Sequence, residues 1–310
     1  MRISASFVII YQFKDMKGTS MRWKCPHCGA YNTAARTKCS YCEKGNGLHE
    51  QNSQEQDSPR PGSFPGSLSN TVKIILILSI ILSIISYLNR NKLPDKKDIL
   101  PQLYQAPVQT ATKEQPFSLK KKDINYTITP LYAYELHGLV VSHHDARVWW
   151  DIYHREWQDY LNTKDLLVIW GKNISSEIYK HIKFSNTSFF GHARWKSGTT
   201  SEIAAKFDYE SWSNNHVLPG NPLVAKYIME TNPGDQIYLK GLLVKYDGPN
   251  VQRSSSTTRS DTGGGACETI YIQEYKILKK ANQSWRIIFV FSKYSIILSM
   301  LVLIIKLFKV

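Results

Sequence analysis

Two long apolar segments constrain the fold of this 310-residue chain more than any other feature. The first covers residues 74–88, reads IILILSIILSIISYL and contains no charged residue. As an α-helix it is about 22 Å long, and Lys73 and Asn89 can extend toward the two surfaces of a hydrocarbon core about 30 Å thick. A helix buried in a soluble core would keep one polar face, whereas this segment has only scattered serines. We therefore predict a transmembrane helix over residues 71–89.

The second apolar segment covers residues 287–308 and is interrupted by serines, one tyrosine, Lys293 and Lys306. A lysine at the bilayer centre costs on the order of 3 kcal/mol, but a lysine near an interface can extend its amine to the headgroups. Trp285 is also suited to that boundary. We predict a second transmembrane helix over residues 286–308, with an interfacial helix as the alternative.

The rest of the chain divides by composition. The net charge of +14 is spread along the sequence, so it does not indicate the concentrated basic surface of a nucleic-acid-binding protein. Residues 1–20 form an N-terminal extension without a signal-peptide cleavage site, and Met21 is an alternative start. Polar composition with Gly and Pro predicts a flexible linker before the first apolar segment and a spacer after it, followed by a central domain. These three segments are residues 45–70, 90–124 and 125–280.

Four of the five cysteines fall within eighteen residues, in two CxxC pairs separated by ten residues. They are Cys25, Cys28, Cys39 and Cys42. Each pair lets two sulfur atoms reach one ion, and two pairs complete the tetrahedron that zinc prefers. Thiolates that hold zinc must stay reduced, which favours a metal site in the cytoplasm over a secreted disulfide scaffold. We predict a zinc-binding unit over residues 21–44, in which His27 faces solvent.

The residues around these cysteines resemble the Ran-binding-protein type of zinc finger, also called the nucleoporin zinc finger. WKCPHCGAYN, six further residues and CSYC match the family pattern W-x-C-x2-C-x3-N-x6-C-x2-C. Members that bind ubiquitin carry Thr-Phe where this chain has Gly29 and Ala30, so the resemblance does not imply ubiquitin binding. Members that bind single-stranded RNA carry a tryptophan and two arginines where this chain has Thr33, Ala35 and Arg36, which leaves only weak phosphate contacts. A bacterial zinc ribbon before a membrane span is the alternative.

Charge and redox chemistry disagree about the orientation in the membrane. More lysines and arginines follow the first apolar segment than precede it, which places the central domain inside by the positive-inside rule. The thiolates instead place the zinc finger inside, and this orientation avoids translocating the N-terminal segment without a signal. We give the redox argument more weight. We expect a bacterial inner-membrane protein with a cytoplasmic finger and an extracytoplasmic central domain, with membrane lipid and another protein as partners.

The central domain shows alternating strand and helix patterns. We predict strands over residues 126–129, 135–141, 166–170, 236–246 and 269–278. We predict helices over residues 146–161, where tryptophans recur at helical spacing, and 222–230, where Asn221 is a suitable cap. The result is an α+β domain rich in antiparallel strands. GDQIYLKGLLV resembles a strand of the small oligonucleotide-binding-type barrels, so a barrel is among the architectures expected.

Candidate catalytic residues of this domain are His216, Arg259, Asp261 and Cys267. The polar loop SSSTTRSDTGGGACE, residues 254–268, suits an anion, with Arg259 and Asp261 bracing each other and Cys267 or a serine as nucleophile. The alternative is a flexible hairpin connection. His216 is predicted to lie in a loop before a helix, as a base or ligand. The sequence His-His-Asp at residues 143–145 is interpreted as a solvated helix start, with a metal cluster as the alternative.

The segments ITPLYAYEL, DLLVIWG, SNNHVLP, PGDQIYLKGLLV and SSTTRSDTGGGACE resemble an uncharacterised group of bacterial membrane-anchored proteins. This resemblance implies a bacterial source and an autonomous domain, but no activity. Two hypotheses follow. The favoured one is a membrane-anchored adaptor or sensor without enzymatic activity, and the other is a membrane-anchored hydrolase or transferase in which His216, Asp261 and Cys267 converge.

Overall fold

The computed structural model describes residues 22–25, 27–33, 36–44, 66–258, 260–261 and 267–308. The chain divides into two compact units, Met1–Gly66 and Ser67–Val310. In the first unit, β1 (Arg22–Lys24) and β2 (Tyr31–Thr33) form a two-stranded antiparallel hairpin beside the cysteine pairs. The predicted extension over residues 1–20 and most of the predicted linker over residues 45–70 lie outside the described residues.

The remaining elements build the second unit. Its helices are α1 (Gly66–Asn89), α2 (Ile152–Glu156), α3 (Gly171–Ser175), α4 (Ser201–Ala204), α5 (Pro222–Glu230) and α6 (Gln283–Leu307). Its strands are β3 (Val108–Ala111), β4 (Phe117–Lys121), β5 (Ile124–Asp145), β6 (Lys164–Ile169), β7 (Ile182–Asn186), β8 (Gly191–Trp195), β9 (Trp212–Pro219), β10 (Gln236–Asp247), β11 (Gln252–Ser254) and β12 (Glu268–Lys279).

Five of these strands close into a barrel. β5 pairs with β6, β6 with β9, β9 with β12, β12 with β10, and β10 returns to β5. β9 and β12 run parallel, and the other neighbours run antiparallel. The 22-residue β5 makes the closure possible, because its earlier part pairs with β10 and its last part with β6. The return of β10 beside β5 forms a Greek key, the architecture class that includes the oligonucleotide-binding-type barrel.

Alternation along the strands separates the barrel interior from its outer face. On β6, Leu166 and Val168 belong to a buried cluster to which all five barrel strands contribute. Leu167 and Ile169 pack in a different cluster, against the segments that cover the outside of the barrel. Since successive side chains of a strand point to opposite faces, Asp165 shares the outer face with Leu167 and Ile169. A buried carboxylate on this face needs polar partners, and its position marks the candidate site.

The helices α1 and α6 are long and apolar enough to cross a membrane by length and composition, over Asn70–Asn89 and Gln283–Leu307. They contact each other through Ser79 and Ser295, whose hydroxyl oxygens are 2.8 Å apart. Small hydroxyl residues at such a contact let two helices approach closely and hydrogen-bond. Many isoleucine and leucine side chains on both helices are exposed.

Arg286 near the start of α6 joins this helix pair to the barrel. Its guanidinium donates hydrogen bonds to the Asp235 carboxylate at 2.8 Å and to the carbonyl oxygens of Pro233 at 2.9 Å and Arg90 at 3.1 Å. Asp235 directly precedes β10, and its side chain is fully buried. The end of α1 and the start of α6 are therefore held at one end of the barrel by a buried ion pair.

The predicted helix over residues 146–161 is wrong for most of its length, because within it only α2 is helical. Asp151 caps α2 by accepting a hydrogen bond from the backbone N–H of His154 at 3.1 Å, so the helix begins after Asp151. Gln158 has a φ of 54°, a left-handed conformation that a helix cannot continue through. The aromatic residues of this segment therefore lie mostly on turns.

Sequence patterns correctly predict one helix and three strands elsewhere in the central domain. The helix predicted over residues 222–230 is confirmed as α5, and the side chain of Asn221 caps it by accepting from the Val224 N–H at 2.9 Å. The strands predicted over residues 166–170, 236–246 and 269–278 are confirmed as β6, β10 and β12. The prediction of a sheet-rich α+β domain is confirmed with them.

Two segments contain more β-strand than their sequence patterns predict. The strands predicted over residues 126–129 and 135–141 are parts of β5, which passes through Pro130 because a register shift in the pairing with β10 falls there. Residues 90–124, predicted as a spacer, contain β3 and β4, and both pair with β5.

Candidate functional site

The four paired cysteines of the first unit form one compact cluster. Their sulfur atoms all lie within 4.8 Å of one another, and the Cys25–Cys42 and Cys28–Cys39 sulfur distances are 3.6 and 3.5 Å. A tetrahedron with Zn–S distances of about 2.3 Å has edges of about 3.8 Å. The cluster therefore has the donor type and dimensions of a structural zinc site, and His27 is exposed beside it.

Hydrogen bonds hold this cysteine cluster in place. Asn32 is buried, donates to the Ala30 carbonyl at 3.1 Å and accepts from the Ser40 N–H at 3.0 Å. The backbone N–H of Tyr41 points at the Cys39 sulfur from 3.5 Å and, with other backbone and side-chain donors, lowers the pKa of that thiol to about 6. Donors of this kind stabilise the thiolate form that binds a metal.

In the second unit, His216 lies in the middle of β9, not in the loop predicted from the sequence. It is buried, and it stands directly opposite Asp165 of β6 in the antiparallel register. His216 Nδ1 is 2.7 Å from Asp165 Oδ1, and the Asp165 side chain has no exposed surface. The loop prediction failed because Asn214 and Asn215 are buried strand residues whose side chains donate to the backbone carbonyls of Phe189 and Leu166.

Cys267 directly precedes β12, which runs parallel to β9. The register places Glu268 opposite Asn215 and Thr269 opposite His216, so Cys267 is level with Asn214 and diagonal to His216, on the next strand. The thiol is half-buried, and it is near enough to the His216 side chain to contribute to raising the pKa of that imidazole. Since Asp165 occupies Nδ1 of the ring, Nε2 is the nitrogen left to exchange a proton with the sulfur. A carboxylate, an imidazole and a thiol therefore lie side by side on three adjacent strands.

The electrostatics of this set favour a charged histidine. Burial lowers the pKa of His216, but the Asp165 carboxylate and the contact with Cys267 outweigh burial and raise it to about 9. Burial raises the pKa of Asp165, while the His216 imidazolium and hydrogen bonds from His216 and Asn162 hold it below its ordinary value. The pair is therefore an imidazolium and a carboxylate at neutral pH.

Asp261, another candidate from the sequence, bonds outside this set. Asp261 accepts a hydrogen bond from the Ser256 hydroxyl, and Ser256 donates its N–H to the Cys267 carbonyl at 2.9 Å. Asp261 therefore braces the loop that leads to Cys267. Arg259 lies outside the described residues, so the predicted contact between Arg259 and Asp261 is not described.

Asn214 and Phe189 complete the surroundings of the thiol. Asn214 Nδ2 is 3.7 Å from the Cys267 sulfur and donates to the Phe189 carbonyl at 3.1 Å, while Asn186 Nδ2 donates to Asn214 Oδ1 at 2.7 Å. The Phe189 ring stacks on Trp157 with centroids 5.0 Å apart. An amide N–H is thus oriented beside the sulfur.

A second polar cluster continues from Asp165. Asn162 Nδ2 donates to Asp165 Oδ1 at 2.8 Å and lies 3.1 Å from His154 Nε2. On the other side of His154, Asp151 Oδ2 is 2.8 Å from His154 Nδ1 and 2.6 Å from His144 Nε2. His144 lies near the end of β5, so the predicted solvated helix start is wrong. Asp151, His154 and Asn162 line a cavity of about 390 Å³.

Sequence reasoning missed Asp165, Asn214, Asp151, His154 and Asn162. Asp165 heads the apolar run LLVIW, which is the one local signal that a carboxylate is being buried. The set of thiol, imidazole and carboxylate is the type used for nucleophilic cysteine catalysis, and it is recognised by geometry, not by sequence order. The chain matches no protein-family model, no curated protein and no solved structure.

Proposed function

We propose that the barrel domain is a membrane-anchored hydrolase or transferase that forms a covalent intermediate on Cys267 with acyl substrates. The observation that carries this proposal is the placement of Asp165, His216 and Cys267 on three adjacent strands, with 2.7 Å between the carboxylate and the imidazole. Asp165 takes the role that the sequence suggested for Asp261. The acyl class follows from the chemistry of a thiol paired with an imidazole.

Each residue has a definite part in the proposed reaction. Beside the His216 imidazolium, the Cys267 thiol releases its proton to solvent, and the thiolate attacks the acyl carbon to form a tetrahedral adduct. The imidazolium then donates its own proton to the leaving group and becomes a neutral imidazole, and the acyl group stays on sulfur as a thioester. Water or a second nucleophile, deprotonated by His216, releases the acyl group. Asp165 orients the ring and stabilises the imidazolium, and the Asn214 amide suits the oxyanion of the adduct.

Trapping the acyl intermediate tests this proposal. The full chain in detergent would be mixed with an activated thioester and quenched, and its peptides would be mapped by mass spectrometry. We expect the acyl group on Cys267 in the wild type, and loss of labelling in His216→Gln. Equal labelling of Cys267 in both proteins, or labelling of the finger cysteines only, would contradict the proposal.

We also propose that the four cysteines of the first unit bind one zinc ion. Their converging sulfur atoms and the N–H donors to Cys39 support this proposal. Metal analysis of the purified chain should find zinc that is lost in Cys25→Ser, without a change in the unfolding of the barrel domain. Native protein without metal would contradict it.

We propose in addition that α1 and α6 anchor the chain in a bacterial inner membrane as a helical hairpin, with the finger in the cytoplasm and the barrel outside. The hydrogen bonds of Arg286 to the Arg90 carbonyl after α1 and to Asp235 before β10 support a hairpin, because they hold both helix ends at the barrel. A maleimide that cannot cross membranes should label the exposed position of a Lys113→Cys variant in intact cells. Protection there, with labelling after permeabilisation, would place the barrel inside.

The adaptor hypothesis remains a proposal for the finger alone. Tyr31 and Tyr41 of this unit are exposed, and Lys24 lies over the Tyr31 ring. Exposed aromatic side chains beside a basic residue favour a protein partner. Crosslinking from the finger in cells should decrease in Tyr41→Ser if this surface binds one, and an unchanged crosslinking pattern would argue against it.

A further inference from the structure

Three metal-binding side chains converge beside α2, in the second unit and apart from the cysteine cluster. His144 Nε2, Asp151 Oδ2 and His154 Nδ1 all lie within 4.8 Å of one another. Asp151 is the cap of α2 and His154 is three residues further along, so the local fold fixes both on one side of the helix. His144 reaches the same point from the end of β5. The Asp151 side chain is fully buried, and those of His144 and His154 are 14 and 2% exposed.

We propose that His144, Asp151 and His154 bind one divalent transition-metal ion, of the zinc or ferrous class, with its remaining coordination positions open to the adjacent cavity. Two imidazoles and one carboxylate on one side of an ion are a recurrent protein site for such metals. The cavity of about 390 Å³, which Asp151 and His154 line, has room for water or a substrate group at the open positions.

Asn162 provides a second observation that points to a ligand. It is 2% exposed and lines the same cavity, and its Oδ1 atom has no hydrogen-bond partner among the described residues. A buried carbonyl oxygen of this kind requires a water molecule or another donor, and a metal-bound water in the cavity would supply it. Asn162 Nδ2 donates to His154 Nε2 at 3.1 Å, which keeps the ring proton on Nδ1, beside Asp151, in the absence of an ion.

Hydrogen bonding alone is the competing explanation for this cluster. The Asp151 oxygen is 2.6 and 2.8 Å from the two ring nitrogens, which are hydrogen-bond distances. Around an ion at about 2.1 Å from each donor, the donors would be about 3.0 to 3.4 Å apart. Metal binding therefore requires the three donor atoms to separate by several tenths of an ångström. It also displaces the protons from the two ring nitrogens that face Asp151, so metal affinity should decrease in acid.

Metal content distinguishes the two explanations, because the cysteine cluster lies in a separate unit. The full chain in detergent would be saturated with zinc, freed of excess and analysed for metal per chain. His144→Ala should lower the content by about one ion relative to the wild type, and His192→Ala, which changes an exposed histidine, should leave it unchanged. Equal metal content in the wild type and His144→Ala would overturn the proposal.

Cobalt spectroscopy keeps the proposal testable even if a barrel variant fails to fold. In a chain with Cys25→Ser and Cys42→Ser, bound cobalt should show the absorption of a nitrogen and oxygen site without thiolate charge transfer. That spectrum should disappear when Asp151→Asn is added. Absence of bound cobalt in the cysteine variant, with its barrel domain intact by thermal unfolding, would overturn the proposal.

Discussion

His216 of β9 and Asp165 of β6 are direct cross-strand partners, with Nδ1 and Oδ1 2.7 Å apart and both side chains withdrawn from solvent. The two residues are 51 positions apart in the sequence, and the antiparallel register alone brings them together. The parallel pairing of β12 with β9 then adds Cys267. The barrel closure is therefore what assembles the candidate site.

Asp165→Asn should keep the shape of the site and remove the charge that stabilises the imidazolium. We expect turnover of an activated thioester to fall by about two orders of magnitude or more, since an orienting carboxylate contributes on this scale. The matched control is Asp261→Asn, because Asp261 bonds to Ser256 and should affect turnover only slightly. Similar losses in the two variants would assign no special role to Asp165.

The pH dependence of stability should report on His216. The pKa of His216 is raised from 6.5 to about 9, so its protonation stabilises the fold fully below pH 6.5, and this contribution is lost as the pH rises through about 9. The full shift corresponds to an upper limit of about 3 kcal/mol. The difference in unfolding free energy between the wild type and His216→Gln should therefore shrink between pH 6 and pH 10. A difference that is constant with pH would show that His216 is not protonated in the fold.

Lys164 should be a stability residue of the same strand. Its buried ammonium donates hydrogen bonds to the carbonyl oxygens of Ile228 at 3.3 Å, Met229 at 3.4 Å and Thr231 at 2.5 Å, at the C-terminus of α5. Lys164→Met leaves these buried acceptors without their donor, at a cost of about 2 to 4 kcal/mol. Chemical unfolding of the full chain in detergent measures this, and the exposed Lys172→Met, expected within about 0.5 kcal/mol of the wild type, is the control.

The sequence predicts those parts of the fold whose signals are local. α5 is specified by the Asn221 cap, the proline after it and the turn that follows, all within a few residues. β10 and β12 are specified by their own patterns of apolar residues. The segment over residues 146–161 could not be predicted in this way, because the Asp151 cap and the left-handed Gln158 override its aromatic spacing.

The candidate site depends on long-range register, which explains what the sequence did and did not indicate. His216 and Cys267 were selected for their chemistry, yet nothing in their spacing shows that β9 and β12 are neighbours. Asp261 was the carboxylate selected from the loop before Cys267, whereas Asp165 is the partner in space. Residue type identifies the candidates, and barrel topology decides which of them meet.

The alkylation rate of Cys267 tests the central claim most directly. The full chain would be treated with iodoacetamide at pH 7, and the modification of Cys267 would be followed by peptide mapping, which separates it from the finger cysteines. We expect the wild-type thiol to react at least about tenfold faster than the same thiol in His216→Gln, because the imidazolium stabilises the thiolate. Equal rates in the two proteins would contradict the assignment of His216 as the residue that activates Cys267.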